Sequence, residues 1–116
     1  RLATIGKGSV QISPALTKAI AYIDENYMKQ LDLNSISESA GVSSQHLCRL
    51  FRQTLNCRPM EYITKRKIQA AKILLTETQL TIEQIAEETG FCDSSYFCKI
   101  FKRNECITPS QFRNAE

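Results

Sequence analysis

The chain has 116 residues and a formal net charge of +3, and 42% of its residues are hydrophobic. These values suit one compact soluble domain, or two very small ones that share a core. No apolar run approaches the roughly 20 residues of a membrane span, and no signal-peptide pattern is present. The chain begins at Arg1 rather than Met, which favours a piece of a longer protein or a processed product.

The cysteines favour a cytoplasmic protein. Their odd number, five, argues against a closed disulfide framework. With one histidine and no Cys-x-x-Cys pair, a zinc site has little support, and no metal or cofactor is expected. We interpret them as reduced, partly buried thiols, with a redox or metal switch as the alternative. They are Cys48, Cys57, Cys92, Cys98 and Cys106.

The chain opens with a segment without periodicity, residues 1–12, which is typical of a linker or tail. Ser13-Pro14 then provides a cap and a first helical residue. Apolar side chains follow at helical spacing, and no strand alternation appears, so we predict an all-α fold. The predicted face of this first helix consists of Leu16, Ile20, Ile23 and Tyr27.

An internal repeat organises the remainder. The segment Leu31–Tyr62 resembles Leu80–Phe112, with an offset of 49 residues at Gly41 and Gly90 and of 50 from Leu47 onward. One inserted residue in the second turn explains the change. The usual solenoid periods do not fit, so we interpret the repeat as one duplicated unit.

Each copy has the capping and turn residues of a helix-turn-helix. A capping residue, Asp32 or Thr81, precedes a short helix that ends at a glycine. A few small polar residues separate this helix from a second one, whose apolar residues at i, i+3 and i+4 form a buried face. Those apolar residues are Leu47, Leu50 and Phe51 in the first copy, and Phe97, Ile100 and Phe101 in the second.

A long helix, from Pro59 to about Thr76, should join the two copies. Its length of roughly 26 Å, together with the width of a helix at each end, approaches the 34 Å or so that separates successive major grooves on one face of DNA. A last short helix is predicted at Thr108-Pro109. We therefore expect about seven helices in a double helix-turn-helix domain over residues 13–116, with units of about 13–57 and 80–113.

The outward positions of the second helices are the predicted DNA contacts. Arg49 suits guanine and Gln45 suits adenine, while Cys98 or Tyr96 could contact a thymine methyl group. Residues 44–67 also hold six basic side chains against one acid, Glu61, which predicts a positive DNA-facing surface. The predicted base contacts are Gln45, His46, Cys48, Arg49, Ser95, Tyr96, Cys98 and Lys99. The predicted phosphate contacts are Ser44, Arg52, Arg58, Arg66, Ser94, Lys102 and Arg103, with backbone N–H groups near Leu33 and Ile82.

These residues resemble the AraC/XylS-type bacterial transcription regulators over about residues 15–113. The resemblance rests on Gly41-Val42-Ser43, Arg49-Leu50-Phe51, Gly90-Phe91, Ser95-Tyr96-Phe97 and the segment Thr108 to Arg113. It implies a seven-helix DNA-binding domain that inserts both recognition helices into adjacent major grooves. We expect no enzymatic activity. It also implies Gln45, Cys48, Arg49, Ser95, Tyr96 and Lys99 at base-facing positions.

The resemblance further implies partners outside this chain. Members of the family commonly carry a separate ligand-sensing or dimerisation domain, and many activate transcription by contacting RNA polymerase. This chain departs from the family at Asn56 and Cys106, where glycine is usual. Since cysteine tolerates a left-handed backbone poorly, the second of these helix ends should be strained or rearranged.

Two alternatives to a DNA-binding activator remain open from the sequence. The duplicated helices could instead form a protein-interaction module that docks a partner. A thiol-dependent enzyme, sensor or alkyl acceptor has less support, because no general base stands at a recognisable spacing from any cysteine.

Overall fold

The computed structural model describes residues 13–115, so the predicted tail at residues 1–12 lies outside the described part. The described residues form seven α-helices and no strand, which confirms the predicted fold class. The helices are α1 (Pro14–Asn26), α2 (Leu33–Ala40), α3 (Ser44–Leu55), α4 (Pro59–Glu77), α5 (Ile82–Glu88), α6 (Ser94–Glu105) and α7 (Pro109–Asn114).

The chain divides into two compact units. Unit 1 comprises residues 13–25 and Leu31–Tyr62, and therefore contains nearly all of α1, together with α2, α3 and the start of α4. Unit 2 comprises Asn26–Gln30 and residues 63–115, and contains most of α4 together with α5, α6 and α7. The segment Asn26–Gln30, which begins at the last residue of α1, thus belongs to unit 2.

The helix starts are set by side-chain caps, as the sequence predicts. Asp32 caps α2 by accepting a hydrogen bond from the Ser35 N–H at 2.7 Å, and this bond holds the pKa of the carboxyl group below its usual value. Thr81 and Thr108 each form a complete capping box, with Gln84 and Gln111 respectively. Each cap satisfies donors that the first turn of a helix leaves unpaired.

The helix ends need backbone conformations that most residues avoid. Gly41 ends α2 in the left-handed region, as predicted. The second short helix departs slightly from the prediction, because α5 ends at Glu88 with Thr89 as its cap, and the left-handed residue is the following Gly90. Asn56 and Cys106 also adopt positive φ values, of 59° and 72°. The end of α6 is therefore strained rather than rearranged.

The duplicated residues form equivalent cores. Ile36, Leu47 and Phe51 are fully buried in unit 1, and so are their counterparts in unit 2, Ile85, Phe97 and Phe101. The prediction is less accurate at Leu50, which is half-buried, whereas its counterpart Ile100 is buried. The Phe101 ring also packs edge-on against the Phe112 ring, with 5.6 Å between the ring centres, which brings α7 onto the core of unit 2.

Polar contacts fasten the end of α4 within unit 2. The Arg113 guanidinium donates to the Leu75 carbonyl oxygen at 2.9 Å and to that of Thr78 at 3.3 Å. A cation at these carbonyl groups complements the negative end of the helix dipole. Lys72 pairs with Glu105 at 3.0 Å. The long helix is thereby held to both α6 and α7.

The strained end of α6 gives a stability prediction. A residue other than glycine in the left-handed conformation costs about 1–2 kcal/mol of folding free energy. Replacement by glycine removes this cost, but glycine also raises the conformational entropy of the unfolded chain, which offsets part of the stabilisation. We expect Cys106→Gly to stabilise the protein by about 0.5–1 kcal/mol in urea unfolding. The matched variant Asn56→Gly should change little, because asparagine tolerates this conformation. Equal effects of the two substitutions would contradict this interpretation of Cys106.

Candidate nucleic-acid interface

Helix α3 presents a polar face in unit 1. Its N-cap, Ser43, accepts a hydrogen bond from the His46 N–H at 3.1 Å. Burial of Leu47 and Phe51 fixes the rotation of the helix about its own axis. The predicted DNA contacts Gln45, Arg49 and Arg52 are exposed, while His46 and Cys48 are half-buried.

A small polar network joins α2 to the start of α3. The Ser44 hydroxyl donates to the Asn34 side-chain oxygen at 3.3 Å and lies 3.3 Å from the Ser37 hydroxyl. Ser37 is buried and donates to the Asn34 carbonyl oxygen at 3.0 Å. Ser44, which the sequence proposes as a phosphate contact, is thus engaged within its own unit and helps to fix the angle between the two helices.

Helix α6 presents the corresponding face in unit 2. Asp93 caps it by accepting from the Tyr96 N–H at 2.7 Å, and Phe97, Ile100 and Phe101 are buried. The exposed predicted contacts on this helix are Ser95, Tyr96, Lys99, Lys102 and Arg103. Ser94 and Cys98 are half-buried.

The turn that precedes α6 is enclosed by other parts of unit 2. Gly90 has a φ of 86°, and a Cβ atom there would lie 2.5 Å from the Met28 carbonyl oxygen. The Lys67 ammonium group donates to the Gly90 carbonyl oxygen at 2.8 Å. The turn of unit 1 differs, because a Cβ atom on Gly41 would meet nothing within 4 Å.

The remaining predicted phosphate contacts lie outside these two helices. Arg58 is exposed, and its backbone N–H donates to the Glu61 carboxylate at 2.8 Å. Arg66 is half-buried, with its guanidinium 5.1 Å from the centre of the Tyr27 ring and 3.2 Å from the Gln69 side-chain oxygen. The Arg66 side chain therefore already has partners within unit 2.

The cysteines are all free thiols. Cys98 packs against the core of unit 2, and burial raises the pKa of its thiol, which keeps it neutral and weakly nucleophilic. Cys92 and Cys106 are exposed, and Cys48 and Cys57 are half-buried. Among residues 13–115, no group of three or more His, Cys, Asp or Glu side chains is arranged to hold a metal ion.

Several residues that support α3 and the turn before α6 cannot be identified from the sequence. Asn34 and Ser37 brace α3, and Lys67 braces the turn before α6, yet none of them belongs to the helix it supports. Ser37 carries a partial signal, because it stands at the position of Ala86 in the second copy, where a small residue is needed. The Lys67 contact spans 23 residues and has no local signature.

The geometry defines a protein class. Two copies of a short helix, a tight turn and a second helix with an exposed polar face are the arrangement of helix-turn-helix DNA-binding proteins. In the described part of the chain, no helix is both long and apolar enough to cross a membrane.

Comparison with known proteins agrees with this class. The sequence model of a family described as "Helix-turn-helix domain" matches residues 36–115. The chain is 36% identical, over 87% of its length, to the uncharacterized HTH-type transcriptional regulator YijO of Escherichia coli, and covers 36% of that protein. It is 29% identical, over 89% of its length, to the lactose operon transcription activator of Staphylococcus xylosus, and covers 37% of that protein.

A solved structure extends the agreement to the fold. The chain is similar to a transcriptional regulator from Chromobacterium violaceum described as having an AraC-type DNA-binding domain, with a TM-score of 0.82, 32% identity and coverage of 87% of this chain and 90% of that one. The protein belongs to the AraC-type helix-turn-helix family of DNA-binding transcription regulators. It spans about a third of the length of the two curated relatives described above.

The two turn glycines make a matched pair for a test. Alanine at Gly41 should cost about 1–2 kcal/mol, the penalty of a left-handed residue alone. Alanine at Gly90 should cost about 1–3 kcal/mol more, because its Cβ atom would displace the Met28 backbone and overpack unit 2. Thermal or urea unfolding of both variants measures the difference. Equal losses would show that the Met28 segment does not confine this turn.

Proposed function

We propose that the protein reads two adjacent major grooves of double-stranded DNA, with α3 as one recognition helix and α6 as the other. The observation that carries this proposal is the duplicated burial pattern. Each of the two helices buries its apolar face and exposes polar and basic side chains at equivalent positions. A helix in the major groove needs such a face to contact base edges and phosphates at once.

Helix α3 is the stronger proposed reader. Arg49 is exposed and long enough for a bidentate contact with guanine O6 and N7, and Gln45, also exposed, suits adenine N6 and N7. His46 and Cys48 lie beside these positions and are half-buried. We assign them shorter-range contacts at the edge of the same groove, with Arg52 on a phosphate.

Helix α6 is the proposed second reader, with shorter side chains and one ring. Ser95 and Lys99 offer hydrogen-bond donors, and Tyr96 offers an apolar ring edge for a thymine methyl group. Lys102 and Arg103, one turn further along the helix, suit phosphates. Cys98 takes part only through its half-exposed edge. We therefore expect the block read by α6 to be less sharply defined than the block read by α3.

Helix α4 is the proposed spacer between the two readers. It is continuous over 19 residues, which corresponds to about 28 Å. Successive major-groove entries on one face of DNA are about 34 Å apart. With the width of a helix added at its ends, a rod of this length suits two readers in neighbouring grooves.

We further propose that the regulator is an activator in the cytoplasm. The relative from Staphylococcus xylosus is named as an activator, and this chain spans only about a third of it. The remaining length in such proteins would accommodate a ligand-sensing or dimerisation domain. RNA polymerase is the partner that activation would require.

Loss of the Arg49 side chain tests the reading by α3. Duplexes selected by the protein from a random pool serve as targets, and scrambled duplexes serve as controls. Arg49→Ala should lose about 1–3 kcal/mol of binding to the selected duplex and little binding to the scrambled one.

The matched control for this experiment is Lys18→Ala. Lys18 is an exposed cation on α1, so this variant removes the same charge without removing a proposed reader. It should weaken binding to both duplexes slightly and equally. Wild-type affinity that is the same for selected and scrambled duplexes would refute sequence-specific recognition and would favour the protein-interaction alternative.

A further inference from the structure

The Lys67 side chain contacts the turn that precedes α6. Its ammonium group donates to the Gly90 carbonyl oxygen at 2.8 Å and lies 5.5 Å from the centre of the Phe91 ring. The side chain is half-buried, and burial lowers the pKa of its ammonium group, with an opposing electrostatic effect from Cys92. Burying part of a charged side chain is unfavourable unless its contacts compensate for the lost hydration.

Phe91 links this contact to the proposed DNA surface. It is only 8% exposed, and its ring packs against Phe97 at 5.0 Å and against Tyr96 at 6.2 Å with a tilt of 57°. Lys67 and Tyr96 therefore contact the same ring. A change in the position of the turn that carries Phe91 would move the surface on which the Tyr96 ring rests.

Tyr96 needs such a support because its side chain projects from the first turn of α6. It is 47% exposed, and its backbone is held by the Asp93 cap. The cap fixes the start of the helix but leaves the side-chain torsions free. The tilted contact with Phe91 restricts the ring, since aromatic pairs favour such non-parallel arrangements.

We propose that Lys67 is a positioning residue for Tyr96: through Gly90 and Phe91 it fixes the ring that reads DNA, and so sets the base discrimination of unit 2. Lys67 itself contacts no base in this scheme. The inference rests on the proposed function, because it assumes that α6 enters a major groove. It follows the general rule that a recognition side chain is only as well placed as the residues that support it.

The test compares two lysines on α4. Lys67→Met retains most of the aliphatic stem but removes the donor and the charge. Lys65→Met makes the same chemical change at an exposed position of the same helix. Affinity is measured for a selected duplex and for single-base-pair variants across the block read by α6 and across the block read by α3. A mismatch in a site costs roughly fivefold or more in affinity.

In the α6 block, the fold-loss of affinity caused by a mismatch should be smaller for Lys67→Met than for the wild type by a factor of about three or more. This is a substantial part of the usual penalty. Penalties in the α3 block should not change. Lys65→Met should leave both sets of penalties unchanged, and Lys67→Arg should largely restore the wild-type pattern because it still offers a donor to Gly90.

A double-mutant cycle separates positioning from general structural support. In a Tyr96→Ala background, Lys67→Met should cause no further loss of discrimination, because the side chain that it positions is absent. If Lys67→Met instead weakens binding to every duplex by the same factor in both backgrounds, the residue is merely structural and the proposal is overturned. If this variant does not fold, Lys67→Leu, which also removes the donor and the charge, takes its place in the cycle with the same expected result.

Nuclear magnetic resonance of the tyrosine rings tests the same point without DNA. The Phe91 ring current should shift the Tyr96 ring signals in the wild type, and Lys67→Met should move them while Lys67→Arg does not. Unchanged Tyr96 signals in Lys67→Met would overturn the proposal. If the wild type fails to discriminate between duplexes, the proposed function fails, and the ring signals still decide whether Lys67 positions Tyr96.

Discussion

Burial of one apolar face of α3 and of α6 is the constraint on which the proposed interface depends. Leu47 and Phe51 in unit 1, and Phe97 and Phe101 in unit 2, are fully buried. Because these residues stand four positions apart, burying both fixes the rotation of each helix about its own axis. The opposite face, with Arg49 on α3 and Lys99 on α6, must then face outward. The selection of possible DNA contacts therefore follows from hydrophobic packing, before any charge is considered.

The sequence predicts the local parts of this arrangement well. Helix starts depend on a cap and a residue three positions later, so Thr81 with Gln84, and Thr108 with Gln111, are visible in the sequence. The buried faces are equally visible, since apolar residues recur at helical spacing. The duplication adds information, because each copy tests the interpretation of the other. The left-handed conformation of Cys106 is also visible in the sequence, because this residue stands directly at the end of α6.

The parts that escape prediction are contacts between distant segments. Lys67 reaches Gly90 across 23 residues, and Arg113 reaches Leu75 across 38. Nothing in the residues next to Lys67 distinguishes it from its neighbour Arg66, whose guanidinium lies over Tyr27 instead. Ser44 illustrates the same limit, because its position suits a phosphate contact while its hydroxyl is engaged with Asn34. Sequence patterns thus identify which face is exposed, whereas packing decides which side chains on it are already engaged.

The proposed function requires one protein molecule to read two DNA blocks, one through α3 and the other through α6. The most direct measurement is the affinity for duplexes in which base pairs are inserted between the two selected blocks. Because about 10 base pairs make one turn of DNA, inserting about five should rotate one block to the opposite face and reduce the affinity to that of a duplex with a single block. An affinity that does not depend on the spacing would contradict the account.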